Sequence, residues 1–164
     1  MREAPTQTRR LLPTLMVLAI MTSSCTHDIY QQRTDLVKDH VAAFYTHLKE
    51  NHVEAAIRDN ERIETLAAQM ADTVRTQGQR QGTTGVEREF ALMKAARDAA
   101  AQNWLALGQY FAIKKQFAQS RAAYQRVLDS YSYPTDRLSR EQAQRALADL
   151  NLLAPADSAL PPSH

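Results

Sequence analysis

Apolar residues recur along this chain with the period of an α-helix, and that spacing limits what it can fold into. Val37, Val41, Phe44 and Leu48 stand four, three and four residues apart, which places them on one helical face. Val53, Ile57, Ile63, Leu66, Met70 and Val74 continue the pattern after a slip in phase near Asn51. Such a slip predicts two helices meeting at a tight turn rather than one rod. A third run passes through Phe90, Met93, Ala96, Trp104, Leu107 and Phe111 to about Lys115, and a fourth occupies 117–131. Pro134 interrupts the pattern, because proline lacks the amide donor that a helix interior needs. Ser139 followed by Gln142 then opens a last helix with Leu147 and Leu150 on its apolar side. Thr84 and Glu87 make a similar opening for the third helix, after a polar loop punctuated by Gly78, Gly82 and Gly85. Aromatics are only 7% of the chain, with 4 Gly, so the strand- and turn-forming residues of an all-β fold are scarce. The expectation is all-α, with about five helices of unequal length, the last one capping the array.

Residues 1–24 read differently. Arg2, Arg9 and Arg10 precede an uncharged run, LLPTLMVLAIM, at 11–21, and small residues follow it. A basic start, an apolar stretch of roughly 7–15 residues and a small-residue end describe a secretory signal. The run is too short to cross a bilayer, which takes about 20 residues of helix. The single cysteine, Cys25, falls where the signal ends. One cysteine excludes an intramolecular disulfide within the chain.

The segment Thr22-Ser23-Ser24-Cys25 resembles the lipobox of bacterial lipoproteins, with Thr22 in the position usually held by Leu. The resemblance implies a diacylglyceryl thioether on Cys25, cleavage before it and acylation of the new amine. Several acyl chains, at about 0.8 kcal/mol per buried CH₂, make a stable anchor where one does not. Thr26, rather than Asp, follows the cysteine; by the lipoprotein sorting pattern this implies the periplasmic face of the outer membrane, although Asp28 lies nearby. The same residues also suit an ordinary secretory signal, with Thr22 and Ser24 at its small positions, and so a soluble periplasmic product; inner-membrane anchoring is a further alternative. The resulting division is a signal over 1–24, a lipidated cysteine and short tether over 25–33, a helical domain over 34–153, and a Pro- and Ser-rich tail over 154–164 read as disordered. A tether this short would hold the domain near the membrane.

Residues 104–131, WLALGQYFAIKKQFAQSRAAYQRVLDSY, resemble a tetratricopeptide repeat, a helix–turn–helix unit of 34 residues. Trp104, Leu107, Gly108 and Phe111 match its first helix, and Phe117 the aromatic position opening its second. Ser120, Tyr124 and Val127 stand where Ala, Phe and Ala are usual, and Ser132 holds the place of the closing Pro. Gly108 and Ser120 are small where the two helices would approach closely. A weaker copy lies 64 residues upstream: KENHVEAAIRDNERI aligns with KKQFAQSRAAYQRVL, pairing Val53 with Phe117, Ala56 with Ser120 and Ile63 with Val127. There Ala43 replaces Leu107, and Phe44 replaces Gly108. The resemblance implies a concave groove lined by the first helices, at Lys38, Val41, Tyr45 and Lys49 in the earlier unit and Gln102, Leu105, Gln109 and Ile113 in the later one. Leu105 and Ile113 are apolar, so the basic clamp of some family members is not reproduced. A mixed groove of this kind suits a helix or an extended peptide; alternatively, Leu105 and Ile113 pack against a neighbouring helix.

Signals for catalysis are weak. His40 and His47 share a helical face with His52 just beyond, but the zinc-protease spacing of two histidines four apart around a Glu is missing. They read as partly exposed helix histidines. Asp59, Glu61 and Glu64 beside Arg58 and Arg62 read as a solvated face with ion pairs along the helix. The formal charge of +2 belongs to the signal, since residues 1–24 hold three of the 20 basic and one of the 18 acidic groups. The remainder carries 17 of each, leaving no basic stripe for nucleic acid. The reading is therefore a non-enzymatic, membrane-anchored scaffold or adaptor of the envelope, with protein or peptide partners, no cofactor, no metal and no small-molecule substrate. The alternatives are an accessory subunit of an envelope transport or secretion machine, and a ligand-binding helical lipoprotein.

Overall fold

A computed structural model describes residues 25–77 and 83–153. The signal, the lipobox residues Thr22, Ser23 and Ser24, the glycines at 78 and 82, and the tail lie outside the described residues, as do the side chains of Cys25 and Thr84. The described chain is all-α: α1 (Cys25–Lys49), α2 (Val53–Gln77), α3 (Thr83–Ile113), α4 (Phe117–Ser130), a 3₁₀ turn (Pro134–Asp136) and α5 (Arg137–Leu153). No described helix is long and apolar enough to cross a membrane.

Three boundaries depart from the sequence reading. α1 reaches back to Cys25, over the stretch read as a tether. Between Cys25 and Val37 no Pro or Gly interrupts it, and Tyr30 packs on the core one helical repeat before Val37, which extends the buried stripe. Gly85 lies inside the first turn of α3 rather than in the loop. α5 starts at Arg137, ahead of Ser139, because the 3₁₀ turn at Pro134 runs straight into it.

Each helix packs on the next in sequence, and α1 and α5 both also pack on α3. α3 is thus central, and its buried residues spread over about half of its circumference: Leu92, Met93, Ala96, Ala100, Ala101, Asn103, Trp104, Leu107 and Phe111. A helix surrounded on several sides needs apolar residues on all of them. Alanines at 56, 67, 96, 100, 101, 123 and 143 are buried and allow the axes to approach closely. Phe44, Ile63, Met70, Leu107 and Val127 fill the remaining space with almost no exposure.

The α1–α2 and α3–α4 turns are alike. In the first, the amide of Asn51 donates to the Leu48 carbonyl at 3.2 Å and that of His52 to His47 at 2.8 Å. In the second, 64 residues on, Lys115 donates to Ala112 at 3.0 Å and Gln116 to Phe111 at 2.9 Å. Asn51 and Lys115 have φ of 62° and 59°. This is the Schellman arrangement, in which one left-handed residue lets two amides satisfy the last carbonyls of a helix. Val53 and Phe117, aligned from sequence, each open the following helix. Ala56 and Ser120, and Ile63 and Val127, are buried at matching places.

Candidate functional site

The Asn51 turn shapes the surface around Tyr45 and Lys49, two of the residues selected from sequence. It brings the end of α1 beside α3, leaving a shallow groove of about 440 Å³ lined by Tyr45, Leu48, Lys49, Asn51, Tyr110 and Lys114. Asn51 organises its floor. Its Oδ1 accepts from the Tyr110 hydroxyl at 2.7 Å and from Lys114 Nζ at 2.9 Å. Lys114 Nζ also lies 5.5 Å from the Tyr110 ring centre, within reach of a cation–π attraction. Tyr45 stands edge-on to the buried Phe44 ring at 5.0 Å and 89°, so its position is set from below while nearly half of it remains exposed. Two aromatic faces and two lysines around a polar floor can hold a chain with both apolar and carboxylate groups.

Of the eight residues read from sequence, Tyr45 and Lys49 line this groove. Gln109 and Ile113 are exposed on α3, but Tyr110 and Lys114, one position further on, are the ones beside Tyr45. Gln102 is engaged by α5, donating to Gln142 at 3.0 Å. Val41 and Leu105 are half-buried against the core, as the alternative for Leu105 expected. Lys38 is exposed and reaches Asp35 at 3.5 Å.

Along α2 runs a polar ladder that the sequence did not disclose. Asp59 is buried and faces α1, with His47 Nδ1 at 2.7 Å, His40 Nδ1 at 3.4 Å and Arg62 on the same carboxylate at 3.2 Å. The two histidines are partly exposed, as expected, but the acid they share comes from the next helix. Asn60, fully buried, donates to the Ala100 carbonyl at 3.1 Å and accepts from Asn103 at 2.9 Å. One turn on, Glu64 accepts from Trp104 Nε1 at 2.9 Å, the Tyr131 hydroxyl at 2.7 Å and Arg126 at 2.9 Å. Burial, and then the Glu64 carboxylate beside it, hold the Tyr131 phenol protonated well above its usual range. The acidic run is therefore not a uniformly solvated face: Glu61 is exposed, while Asp59 and Glu64 are structural acceptors. Their spacing of five residues gives no signal of this, because the donors to Glu64 lie 40 to 67 residues away.

Comparison with known proteins returned no match, whether to family models, curated sequences or solved structures.

Proposed function

We propose that this chain is a lipid-anchored scaffold or adaptor of the bacterial envelope, facing the periplasm from the outer membrane. In this reading a tetratricopeptide-like domain offers its α1–α3 groove to a protein or peptide partner. The observation that carries it is the shared groove of Tyr45 and Lys49 with Tyr110 and Lys114. These residues come from the first helices of two hairpins whose turns have the same hydrogen bonds, which is how a repeat array generates a lined surface. Half-exposed tyrosines beside lysines supply apolar area and charge together, the combination that recognises an extended peptide or an amphipathic helix. The lipobox resemblance at 22–25 supports the anchor.

Crosslinking in intact cells, followed by partner identification, tests the reading. Tyr45→Ala with Lys49→Glu is expected to remove the crosslinked partner while the circular dichroism of the purified chain stays unchanged. A crosslinked partner retained by that variant would overturn the groove assignment. For the anchor, Cys25→Ser is expected to move the chain out of the membrane fraction, and the wild-type N-terminal peptide to carry acyl mass.

A further inference from the structure

The two ends of the helical array differ. The tight turns at Asn51 and Lys115 and the partner groove occupy one end. At the other, α2 finishes, α3 begins and the 3₁₀ turn leads into α5. There Ala71, Val74, Phe90, Met93, Tyr133 and Pro134 line an open, mainly apolar groove of about 720 Å³, edged by Glu64, Arg97 and the ion pair of Arg75 with Asp72. The start of α1 belongs to this end, because Arg33 is ion-paired with Glu89, the neighbour of Phe90. Cys25 lies eight residues before Arg33, about 12 Å of helix. Ile29 on α1 and Leu138 at the head of α5 add exposed apolar side chains to these terminal turns.

We infer that this end docks on a phospholipid surface, with Phe90 and Tyr133 entering the boundary between headgroups and acyl chains. The inference rests on the reading of Cys25 as the anchored residue. Two observations converge on a bilayer as the occupant. The anchor emerges at this end. Its exposed side chains are an aromatic, a tyrosine with a polar tip and aliphatics, the set that suits a membrane interface. Anchoring at Cys25 raises the local concentration of the groove at the surface, so a weak docking contact suffices to orient the domain. The helix length of α1 then carries the partner groove about 37 Å away from the anchored end.

Tyr133 and Tyr45 provide an internal comparison, since they are 53% and 48% exposed in the domain and lie at opposite ends. The full chain, produced in a bacterial envelope, is reconstituted into vesicles of phosphatidylethanolamine with a minority of phosphatidylglycerol and footprinted with hydroxyl radicals. Tyr133 and Phe90 should be labelled several-fold less than Tyr45. Phe90→Ser with Tyr133→Ser should raise the labelling of Pro134 toward that of a solvent-exposed position. Equal labelling of Tyr133 and Tyr45 overturns the inference. So does protection of Tyr133 that persists without vesicles and grows with protein concentration, which identifies a second copy as the occupant. The mass of the N-terminal peptide from the same sample separates the two readings. An unacylated peptide with Tyr133 protected on vesicles refutes the lipid anchor and upholds docking, whereas an acylated peptide with Tyr133 labelled like Tyr45 upholds the anchor and refutes docking.

Discussion

The hydroxyl of Ser120 donates to the carbonyl of Gly108 at 2.8 Å, tying α4 to α3. Both residues are buried, and a Cβ on Gly108 would meet the Tyr124 ring at 2.5 Å. Small residues suit this pair, where the repeat resemblance brings the two helices close, and the two residues are in contact.

Gly108→Ala forces the Tyr124 ring to move. That ring is itself buried and has little room, so overpacking should outweigh the helix propensity gained from alanine. The expected result is a net loss of about 1–3 kcal/mol in stability. Chemical denaturation of the variant against the parent checks it.

The two Schellman turns should respond oppositely to glycine. Lys115 adopts φ 59° while its side chain is exposed, so it bears the steric cost of a left-handed residue without compensation. Lys115→Gly should therefore stabilise the chain by roughly 0.5–1 kcal/mol. Asn51 tolerates that conformation better, and its side chain accepts from Tyr110 and Lys114. Asn51→Gly should lose those bonds and destabilise. Thermal unfolding of both variants under one buffer condition distinguishes the two outcomes.

Asn60 and Asn103 satisfy each other in the core, and removing one leaves the other unpaired. Asn103→Leu strands Asn60 Oδ1 and should cost about 1–3 kcal/mol. Adding Asn60→Leu removes the stranded acceptor, so the double variant should be more stable than the sum of the two single losses predicts. A double-mutant cycle measures that coupling.

Stability should fall in strong alkali. Tyr131 is raised by burial and by Glu64, and Tyr124 is raised mainly by burial. Both phenols therefore keep their protons in the folded state after the unfolded chain begins to lose them near pH 10.0. The unfolded state then binds fewer protons, so the contribution is intact below pH 10.0 and declines as pH rises through the folded values. Tyr131, the more strongly shifted of the two, should contribute a slope approaching about 1.4 kcal/mol per pH unit above that point. Tyr131→Phe should flatten the decline measured by denaturation between neutral and alkaline buffer.

The candidate site was partly legible from sequence. Tyr45 and Lys49 follow from the repeat register, and both line the groove. On α3 the same register selects Gln109 and Ile113, whereas the structure presents Tyr110 and Lys114. A single residue turns a side chain by about 100° around a helix axis, so a small difference in how α3 rolls against α1 changes which residues face the groove.

The sequence by itself determined the order of the five helices and most of their limits, the start of α1 at Cys25 excepted. Apolar period, the phase slip at Asn51 and the break at Pro134 are local properties, governed by backbone sterics and by which face of each helix must leave water. Tertiary structure decided the roles of the polar residues. Whether Asp59, Asn60 and Glu64 face solvent or core depends on donors from other helices, Trp104 and Tyr131 among them, that only folding brings within hydrogen-bond distance. The same holds for the grooves at the two ends of the array. Each is assembled from helix termini distant in the chain, and its shape follows from how closely the small residues of α2, α3 and α4 let those helices pack.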